Sequence, residues 1–315
     1  MSATDDLPAP LGAIAARPRL AALLGAVCIA FSGILYRWAE VSPSTGTVYR
    51  AVFGLPLLAL VAWLEHRRYG GLPSRTIRLS LIAGIFFAGD LLFWHHAIEY
   101  VGAGLATVLG NLQVIVVGVV AWMVFGERPP RSVFLALPFV LVGVALISGA
   151  FGGAAYGANP TLGVILGLCT AICYAGYLLV IRRGGRDLRR PAGPVMIATV
   201  STAIVAAAVG TIGGDLDPTP PLASLAWLAL LGLTSQALGY LLISISLSRL
   251  PAVMTSMILL AQPVMTVGLA MVLLGEAPSS AQLAGVALVI GGIAAATLGP
   301  SATRIRSPRR AGAGA

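Results

Sequence analysis

The sequence predicts an all-α integral membrane protein with ten transmembrane helices, arranged as two inverted five-helix repeats. This prediction depends on long apolar runs along the whole chain, on arginines gathered on one side of these runs, and on an internal similarity at a fixed offset. Hydrophobic residues make up 58% of the 315 positions and charged residues only 10%. A soluble domain of this length needs far more polar surface, so the composition excludes an ordinary soluble protein.

Ten runs of about 20 apolar residues are long enough to cross the hydrocarbon core. We expect helices, because a lipid-exposed backbone must satisfy its hydrogen bonds within its own segment. The connections between the runs are short and leave no room for a soluble domain. The runs cover residues 20–39, 44–64, 78–98, 104–125, 131–150, 160–181, 193–213, 223–247, 251–274 and 280–299.

The 20 basic residues are all arginine, and their positions predict the orientation. With a cytoplasmic N terminus, 18 of the 20 arginines lie on the cytoplasmic side, as the positive-inside rule requires. We therefore expect a multi-pass protein of the cell (cytoplasmic) membrane with both termini in the cytoplasm. Residues 1–19 form the N-terminal tail and residues 300–315 a disordered C-terminal tail. The net charge of +9 reflects this topology, and no nucleic-acid partner is expected.

The two halves of the chain share a pattern of glycine, glutamate, glutamine and proline. Placing Gly126 on Gly275 gives an offset of 149 residues. This predicts a first repeat at 20–150 and a second at 160–299. Because each repeat holds five spans, an odd number, the two copies must face opposite sides of the membrane. The same offset pairs Glu127 with Glu276, Gln113 with Gln262, Pro129 with Pro278 and Gly143 with Gly292.

The two Gly-Glu-x-Pro helix ends and the stretch 90–107, DLLFWHHAIEYVGAGLAT, resemble EamA-type members of the drug/metabolite transporter superfamily. The resemblance covers residues 20 to 299. It implies ten spans, a central cavity between the halves, and export or exchange of small metabolites by alternating access. It does not imply one substrate, because the family ranges from amino acids to sugars, nucleotide sugars and drugs.

Four of the predicted spans carry polar or aromatic side chains along a single helical face. Such stripes predict four walls of one water-accessible cavity. The alternative is that hydroxyl groups bond to their own helix or to a neighbour and hold the bundle together. The stripes are Cys28, Ser32 and Tyr36 in the first span, Asp90 and Trp94 in the third, Thr170, Tyr174 and Tyr177 in the sixth, and Gln236, Tyr240 and Ser244 in the eighth.

Asp90 is the sharpest candidate, because a carboxyl group in the middle of an apolar helix must titrate, pair with a cation or face water. It is a candidate proton-coupling site or partner for a substrate ammonium group. The alternative is a structural pair with Arg50. Arg50 could bind a carboxylate with both ends of its guanidinium group, or it could pair with Glu40 or Asp90.

His95, His96 and Glu99 lie together near the outer end of the third predicted span. Their spacing allows a metal site in principle, but they offer only three ligands at a helix end, so no metal is expected. Histidine titrates near neutral pH. We therefore favour His95 and Glu99 as a proton relay or gate, with plain interfacial polarity as the alternative.

Gln113 and its repeat partner Gln262 are expected near the axis that relates the two halves. They are either substrate ligands or paired structural amides. Asn111 lies two positions from Gln113 and so points to nearly the opposite helix face. Glu127 and Glu276 are expected to end helices and to anchor them at the membrane interface.

The sequence thus predicts a secondary transporter rather than an enzyme, and amino acids are the favoured substrates. No Gly-x-x-x-x-Gly-Lys loop occurs, so neither ATP nor another cofactor is expected. A lipid-carrier flippase subunit and, less favoured, an integral membrane enzyme are the alternatives. The expected partners are a small-molecule substrate and membrane lipids, and a homodimer stays open. Candidate substrate-binding residues are Tyr36, Asp90, Trp94, Gln113, Tyr174, Gln236, Tyr240 and Gln262; candidate proton-coupling or gating residues are Asp90, His95, Glu99 and Arg50.

Overall fold

The computed structural model describes residues 17–125, 131–149, 155–184, 187, 190–247 and 261–298. Within these ranges every regular element is a helix. They are α1 (Pro18–Ala30), α2 (Ser32–Ala39), α3 (Pro43–Tyr69), α4 (Ser74–Gly110), α5 (Gln113–Phe125), α6 (Arg131–Ile147), α7 (Pro160–Gly184), α8 (Ala192–Gly213), α9 (Leu222–Leu231), α10 (Tyr240–Leu247), α11 (Ala261–Leu273) and α12 (Ser280–Leu298), with a π-helical segment, Gly232–Gly239, between α9 and α10.

Six helical stretches in the described part of the chain are long and apolar enough to cross a membrane. Large apolar side chains cover their outer surface; Ile212, for example, is 88% exposed. Such a surface suits hydrocarbon and not water, so the chain is a multi-pass membrane protein. The six stretches are Pro18–Ala39, Pro43–Tyr69, Ser74–Val117, Pro160–Ile181, Ala192–Gly213 and Leu222–Ser246, and shorter apolar helices lie at Phe134–Ile147, Ala261–Leu273 and Ser280–Ala295.

Two features bear on the comparison with the ten predicted spans. The predicted spans 78–98 and 104–125 both begin within one stretch, Ser74–Val117, because helical geometry resumes directly after a break at a single glycine. The predicted span 251–274 is described only from Ala261 onwards. The count of ten helices therefore stays a prediction.

The single-glycine break lies in α4, at Gly102, whose φ of 84° and ψ of 166° belong to a region that is essentially restricted to glycine. The break leaves the N–H groups of Ala103 and Gly104 without partners in their own helix. Both donate to the carboxylate of Glu276, at 2.5 and 3.2 Å. A Cβ at position 102 would lie 2.6 Å from this carboxylate, so glycine also gives the carboxylate room to approach.

Hydrogen bonds join α3 to α8 at both ends of the two helices. Near the C terminus of α3, the Glu65 carboxylate accepts the N–H groups of Ala192 and Gly193, both at 2.9 Å, at the start of α8. Just beyond α8, the Asp215 carboxylate accepts the N–H of Ser44 at 3.3 Å, at the start of α3. Each acidic residue thus lies at the positive end of the partner helix, where a negative charge is stabilised. The two helices are therefore antiparallel.

These contacts define two opposite ends of the molecule. The Glu65 end contains the C terminus of α3 and the start of α4. The Glu276 end contains Asp215, the start of α3 and the break at Gly102. Residues 74–101 of α4 connect the two ends, and at about 1.5 Å per residue they span roughly 40 Å, enough to cross a bilayer.

Gly102→Ala should lower the unfolding free energy by about 1–3 kcal/mol, because the new side chain strains the backbone and displaces the Glu276 carboxylate. Gly268→Ala is the matched control, since a Cβ at position 268 in α11 meets no atom within 4 Å. Thermal unfolding of the two detergent-solubilised variants measures the difference. Equal transition temperatures would contradict the role given to Gly102.

Candidate functional site

A cavity of about 60 Å³ lies inside the helix bundle, with a wall from both halves of the chain. This volume has room for a few water molecules. Its wall combines charged, amide and aromatic side chains, which is the mixture expected of a site for a small polar solute. The polar and aromatic lining residues are Ser32, Arg50, Asp90, Trp94, Thr107, Asn111, Thr170, Tyr174, Tyr240 and Gln262.

Arg50 brings a positive charge from α3 to this cavity. Its side chain is 1% exposed, so it is not at the outer interface. Among the described residues, Nε and Nη1 of its guanidinium group have no hydrogen-bond partner, and its Cζ lies 5.9 Å from the ring centroid of Trp94. Burial of a charged donor without a partner is costly. A buried guanidinium with unpaired N–H groups, in a residue that lines a cavity, therefore indicates a site for an anionic group.

Asp90 brings a carboxyl group to the same cavity from α4 and is 5% exposed. Among the described residues, this carboxyl group forms no ion pair with Arg50. The Asp90 backbone carbonyl accepts the Thr170 hydroxyl at 3.4 Å, which ties α4 to α7 beside the cavity. The cavity wall thus carries a guanidinium group and a carboxyl group that are not paired with each other.

Aromatic rings form another part of the cavity wall. Trp94, Tyr174 and Tyr240 line it. A second layer supports them, because the Phe87 ring packs edge-on against Tyr240 with a centroid distance of 5.1 Å and stacks on Tyr177 at 4.6 Å. Tyr177, which the helical stripe placed with Tyr174, therefore supports the wall from behind.

Five of the eight candidate substrate-binding residues line the cavity together: Asp90, Trp94, Tyr174, Tyr240 and Gln262. The other three lie outside its lining. The Tyr36 ring stacks on His95 at a centroid distance of 4.0 Å. Gln236 is fully buried and donates from Nε2 to the Thr199 hydroxyl at 3.1 Å. Gln113 is replaced in the lining by Asn111.

The candidate proton-coupling residues fall into two groups. Asp90 and Arg50 line the cavity, while Glu99 is 39% exposed and lies 3.7 Å from His96. His95 lies between them, fully buried, with its ring 5.1 Å from that of Trp94. Within the described ranges, no three His, Cys, Asp or Glu side chains are close enough together to hold a metal ion.

His95 is buried beside the start of α3. The Thr47 hydroxyl lies 2.8 Å from the Pro43 carbonyl oxygen and 2.8 Å from His95 Nδ1, so the three groups form one hydrogen-bonded cluster. The other ring nitrogen, Nε2, is buried and has no hydrogen-bond partner among the described residues.

Glu276 differs from the expectation of an interfacial anchor, because its side chain is only 5% exposed. Burial raises the pKa of Glu276, and this effect is opposed by the two N–H groups that the carboxylate accepts and by the positive charge of Arg37. It acts as a helix cap between distant parts of the chain. Its predicted counterpart, Glu127, lies outside the described residues.

The sequence patterns did not predict two groups of residues: some that line the cavity and some that cap helices. Thr107 and Asn111 line the cavity and are joined by a bond from Asn111 Nδ2 to the Thr107 carbonyl at 2.8 Å. Their spacing of four residues places them on one helix face, and this spacing could have indicated them in the sequence. The caps made by Glu65 and Asp215 had no local signal, because their partners lie more than 100 residues away in the chain.

Two stretches of the chain, residues 17–149 and 161–298, each match the model of the EamA-like transporter family. The chain belongs to the EamA-like transporter family. It thus contains two EamA repeats, and the resemblance to the drug/metabolite transporter superfamily is confirmed.

Curated relatives of this EamA protein are also transporters by name. The uncharacterized transporter sll1319 of Synechocystis is 26% identical over 254 residues, which cover 78% of this chain and 76% of that protein. The uncharacterized transporter YwfM of Bacillus subtilis is 21% identical over 260 residues, covering 82% and 86%. The pseudopaline exporter CntI of Pseudomonas aeruginosa is 27% identical over 125 residues, only 39% of this chain and 43% of CntI.

A solved crystal structure shares the fold of this EamA protein. It matches with a TM-score of 0.62 at 22% sequence identity and covers 90% of this chain and 98% of that one. At this identity the likeness concerns the fold alone.

Gln262→Ala and Gln236→Ala should separate a cavity residue from a structural one. Gln262→Ala should change ligand binding and leave the unfolding temperature nearly unchanged, because Gln262 lines the cavity. Gln236→Ala should lower the unfolding temperature, because it leaves a void and an unpaired Thr199 hydroxyl in the interior. Thermal unfolding with and without ligand measures both effects. The opposite pattern would contradict the placement of the cavity.

Proposed function

We propose that this EamA-family protein is a secondary transporter that exports or exchanges small metabolites across the cytoplasmic membrane, with amino acids as favoured substrates. The observation that carries the proposal is the buried guanidinium group of Arg50, which has unpaired nitrogens among the described residues and belongs to a residue that lines the same cavity as Asp90. Membership of a transporter family supports the transport reaction itself.

An amino-acid zwitterion complements these two charges. Its carboxylate would accept hydrogen bonds from Arg50, and its ammonium group would donate to Asp90. Both interactions are strong in a cavity from which water is largely excluded. The side chain of the substrate would lie against Trp94, Tyr174 and Tyr240, which offer apolar faces with polar edges.

The relative with a stated substrate supports the direction of transport. CntI is named as an exporter of pseudopaline. Its match covers less than half of either chain, so the substrate of CntI does not transfer to this protein. We propose export, with exchange as the mode when substrate is present on both sides.

We propose that the fold comprises ten transmembrane helices in two inverted repeats, with both termini in the cytoplasm. The reciprocal caps of α3 and α8 support the inversion, because the two helices occupy equivalent places in the two EamA matches and run antiparallel. The repeats would rock around the cavity to expose it to one side at a time. In this orientation the Glu276 end is the outer end.

The driving force in this proposal is a proton gradient or solute exchange, because the sequence has no nucleotide-binding loop of the Gly-x-x-x-x-Gly-Lys type. Asp90 and Arg50 would couple proton movement to substrate binding inside the cavity. His95 and Glu99 would relay protons or gate access between the cavity and the Glu276 end. The unpaired Nε2 of His95 supports this role.

A lipid-carrier flippase subunit is the second candidate function. A groove of about 450 Å³ runs between α6 and α12 on the lipid-facing surface. Its walls are apolar or small, with Phe139 and Leu135 on one side and Gly291 on the other. A lipid tail would suit this groove. The buried charges lie in the separate inner cavity, so we favour a charged solute.

The substrate proposal predicts which compounds the protein exchanges in a counterflow experiment with proteoliposomes. Wild-type protein should exchange a labelled amino acid but neither its decarboxylated amine nor its deaminated acid, because each analogue leaves one buried charge unpaired. Arg50→Gln and Asp90→Asn should each lower amino-acid exchange by roughly 10- to 100-fold, the effect of losing one charged hydrogen bond. Arg67→Gln, which changes an arginine on the exposed face of α3, is the matched control and should exchange normally.

Two results would contradict the site assignment. One is equal exchange by wild type and Asp90→Asn for every compound tested. The other is exchange of an uncharged sugar as fast as the amino acid, since neither Arg50 nor Asp90 would then be needed. Flipping of a lipid-linked sugar by the same vesicles would favour the second candidate function.

The orientation is tested by fusing reporters to the C terminus. A fluorescent protein that matures only in the cytoplasm should be active there, and a phosphatase that is active only outside should not. The reason is that an even number of spans returns the chain to the side on which it began. Phosphatase activity at the C terminus would exclude ten spans with a cytoplasmic N terminus.

A further inference from the structure

We propose that Glu276 is a latch between the two EamA repeats, and that its release opens the cavity towards the Glu276 end. It acts as a positioning residue, because it touches the helix that carries cavity residues and not the cavity itself. The inference deepens the proposed transport function and rests on it. In the proposed orientation, the latch controls release to the outside.

The first argument is the geometry of the latch. Glu276 follows α11 in the second repeat and accepts both free N–H groups at the start of residues 103–110 in the first repeat. The backbones approach closely, since a Cβ at Gly104 would lie 3.1 Å from the Cα of Val267 in α11. Both bonds therefore run from one repeat to the other. Separating the repeats at this end must therefore break both bonds.

The second argument is a continuous chain of hydrogen bonds from the latch to the cavity. Glu276 holds the N–H of Ala103, and the Ala103 carbonyl accepts the Thr107 hydroxyl at 2.8 Å. The Thr107 carbonyl in turn accepts Nδ2 of Asn111 at 2.8 Å. Thr107 and Asn111 both line the cavity. The position of the latch therefore sets the position of this part of the wall.

The third argument is that α11, the helix that precedes Glu276, also reaches the cavity. Glu276 follows the C terminus of α11, and Gln262 at the start of α11 lines the cavity. The two segments 103–111 and 261–276 thus meet at the Glu276 end, and each also contributes residues to the cavity wall. Gly102 directly precedes the first segment, and its backbone conformation is one that a hinge can use.

Other contacts at the same end do not reach the cavity and so serve as a comparison. Gln282 in α12 is fully buried and accepts the N–H of Tyr156 at 2.8 Å, while its Nε2 donates to the carbonyls of Ile147 and Tyr156. These bonds fasten the connection before α7 to α12. Loss of Gln282 should loosen this end without moving Thr107 or Asn111.

The test is labelling of a cavity thiol from each side of the membrane. In a background with Cys28, Cys169 and Cys173 replaced by alanine, Ser32→Cys places a thiol in the cavity wall. Asp217→Cys, in a separate protein, marks the exposed surface at the Glu276 end. A membrane-impermeant maleimide is added to intact cells and to inside-out vesicles, and the side that labels position 217 defines the Glu276 side.

Glu276→Gln should raise the labelling rate of position 32 from the Glu276 side by roughly fivefold or more, because an amide has only one acceptor oxygen for two N–H groups. Gly104→Ala should act in the same direction by pushing α11 away, and it keeps the test decisive if Glu276→Gln fails to fold. Gly268→Ala, also on the contact partner α11 but in open space, should leave the rate unchanged.

Three outcomes would overturn the latch: an unchanged rate in both Glu276→Gln and Gly104→Ala, an equal rise from both sides, or an equal rise in Gln282→Ala. The last would mean that any loosening of this end exposes the cavity. Labelling does not require a known substrate. A latch that behaves as proposed in a protein that exchanges no amino acid would therefore reject the proposed function and keep the latch.

Discussion

A helix that begins inside a membrane protein must find acceptors for its first N–H groups, because hydrocarbon offers none. This constraint shapes the whole molecule. α3, α8 and the segment after Gly102 each begin against an acidic residue, Asp215, Glu65 and Glu276 respectively. In all three cases the acidic residue belongs to the other EamA repeat. The bonds that complete the helices are therefore also the bonds that join the repeats.

The same constraint makes Arg50 informative. The acidic caps show that buried charges in this protein normally have hydrogen-bond partners, as they do in proteins generally. Arg50 is as buried as any of them, and two of its nitrogens have none. Asp90 lines the same cavity, but its carboxyl group does not neutralise Arg50 by direct contact. In the proposed function, a ligand with two charges would complete this pair, which a structural ion pair would not leave open.

Sequence patterns predicted the apolar helices and the residues that share a regular helical face. Asp90 and Trp94 on one span, Tyr174 on another and Tyr240 on a third were found in this way, since each depends only on a helical spacing or on polarity within an apolar run. Gln236 and Tyr240 were expected on one face, but only Tyr240 lines the cavity, while Gln236 bonds to Thr199. Gln236 lies in the π-helical segment Gly232–Gly239, whose backbone departs from the α-helix on which the expectation was based. No local sequence pattern predicts a π-helical segment.

The caps could not be predicted for a different reason. Glu65 and Ala192 are 127 residues apart, and Glu276 and Ala103 are 173 apart. Hydropathy treats both glutamates as the polar ends of spans, which is why Glu276 was expected at the interface. Only the packed structure shows that each meets a helix start. The ten-helix count stays a prediction, because the predicted span 251–274 is described only from Ala261 onwards.

The conformation of Gly102 has a consequence for how this sequence can change. The space that a side chain at position 102 would need is occupied by the carboxylate of position 276. A substitution at either site alters what the other must accommodate, although the two are encoded in different repeats. A side chain at position 102 and a carboxylate in this position of Glu276 therefore compete for one space, although the two residues lie in different EamA repeats.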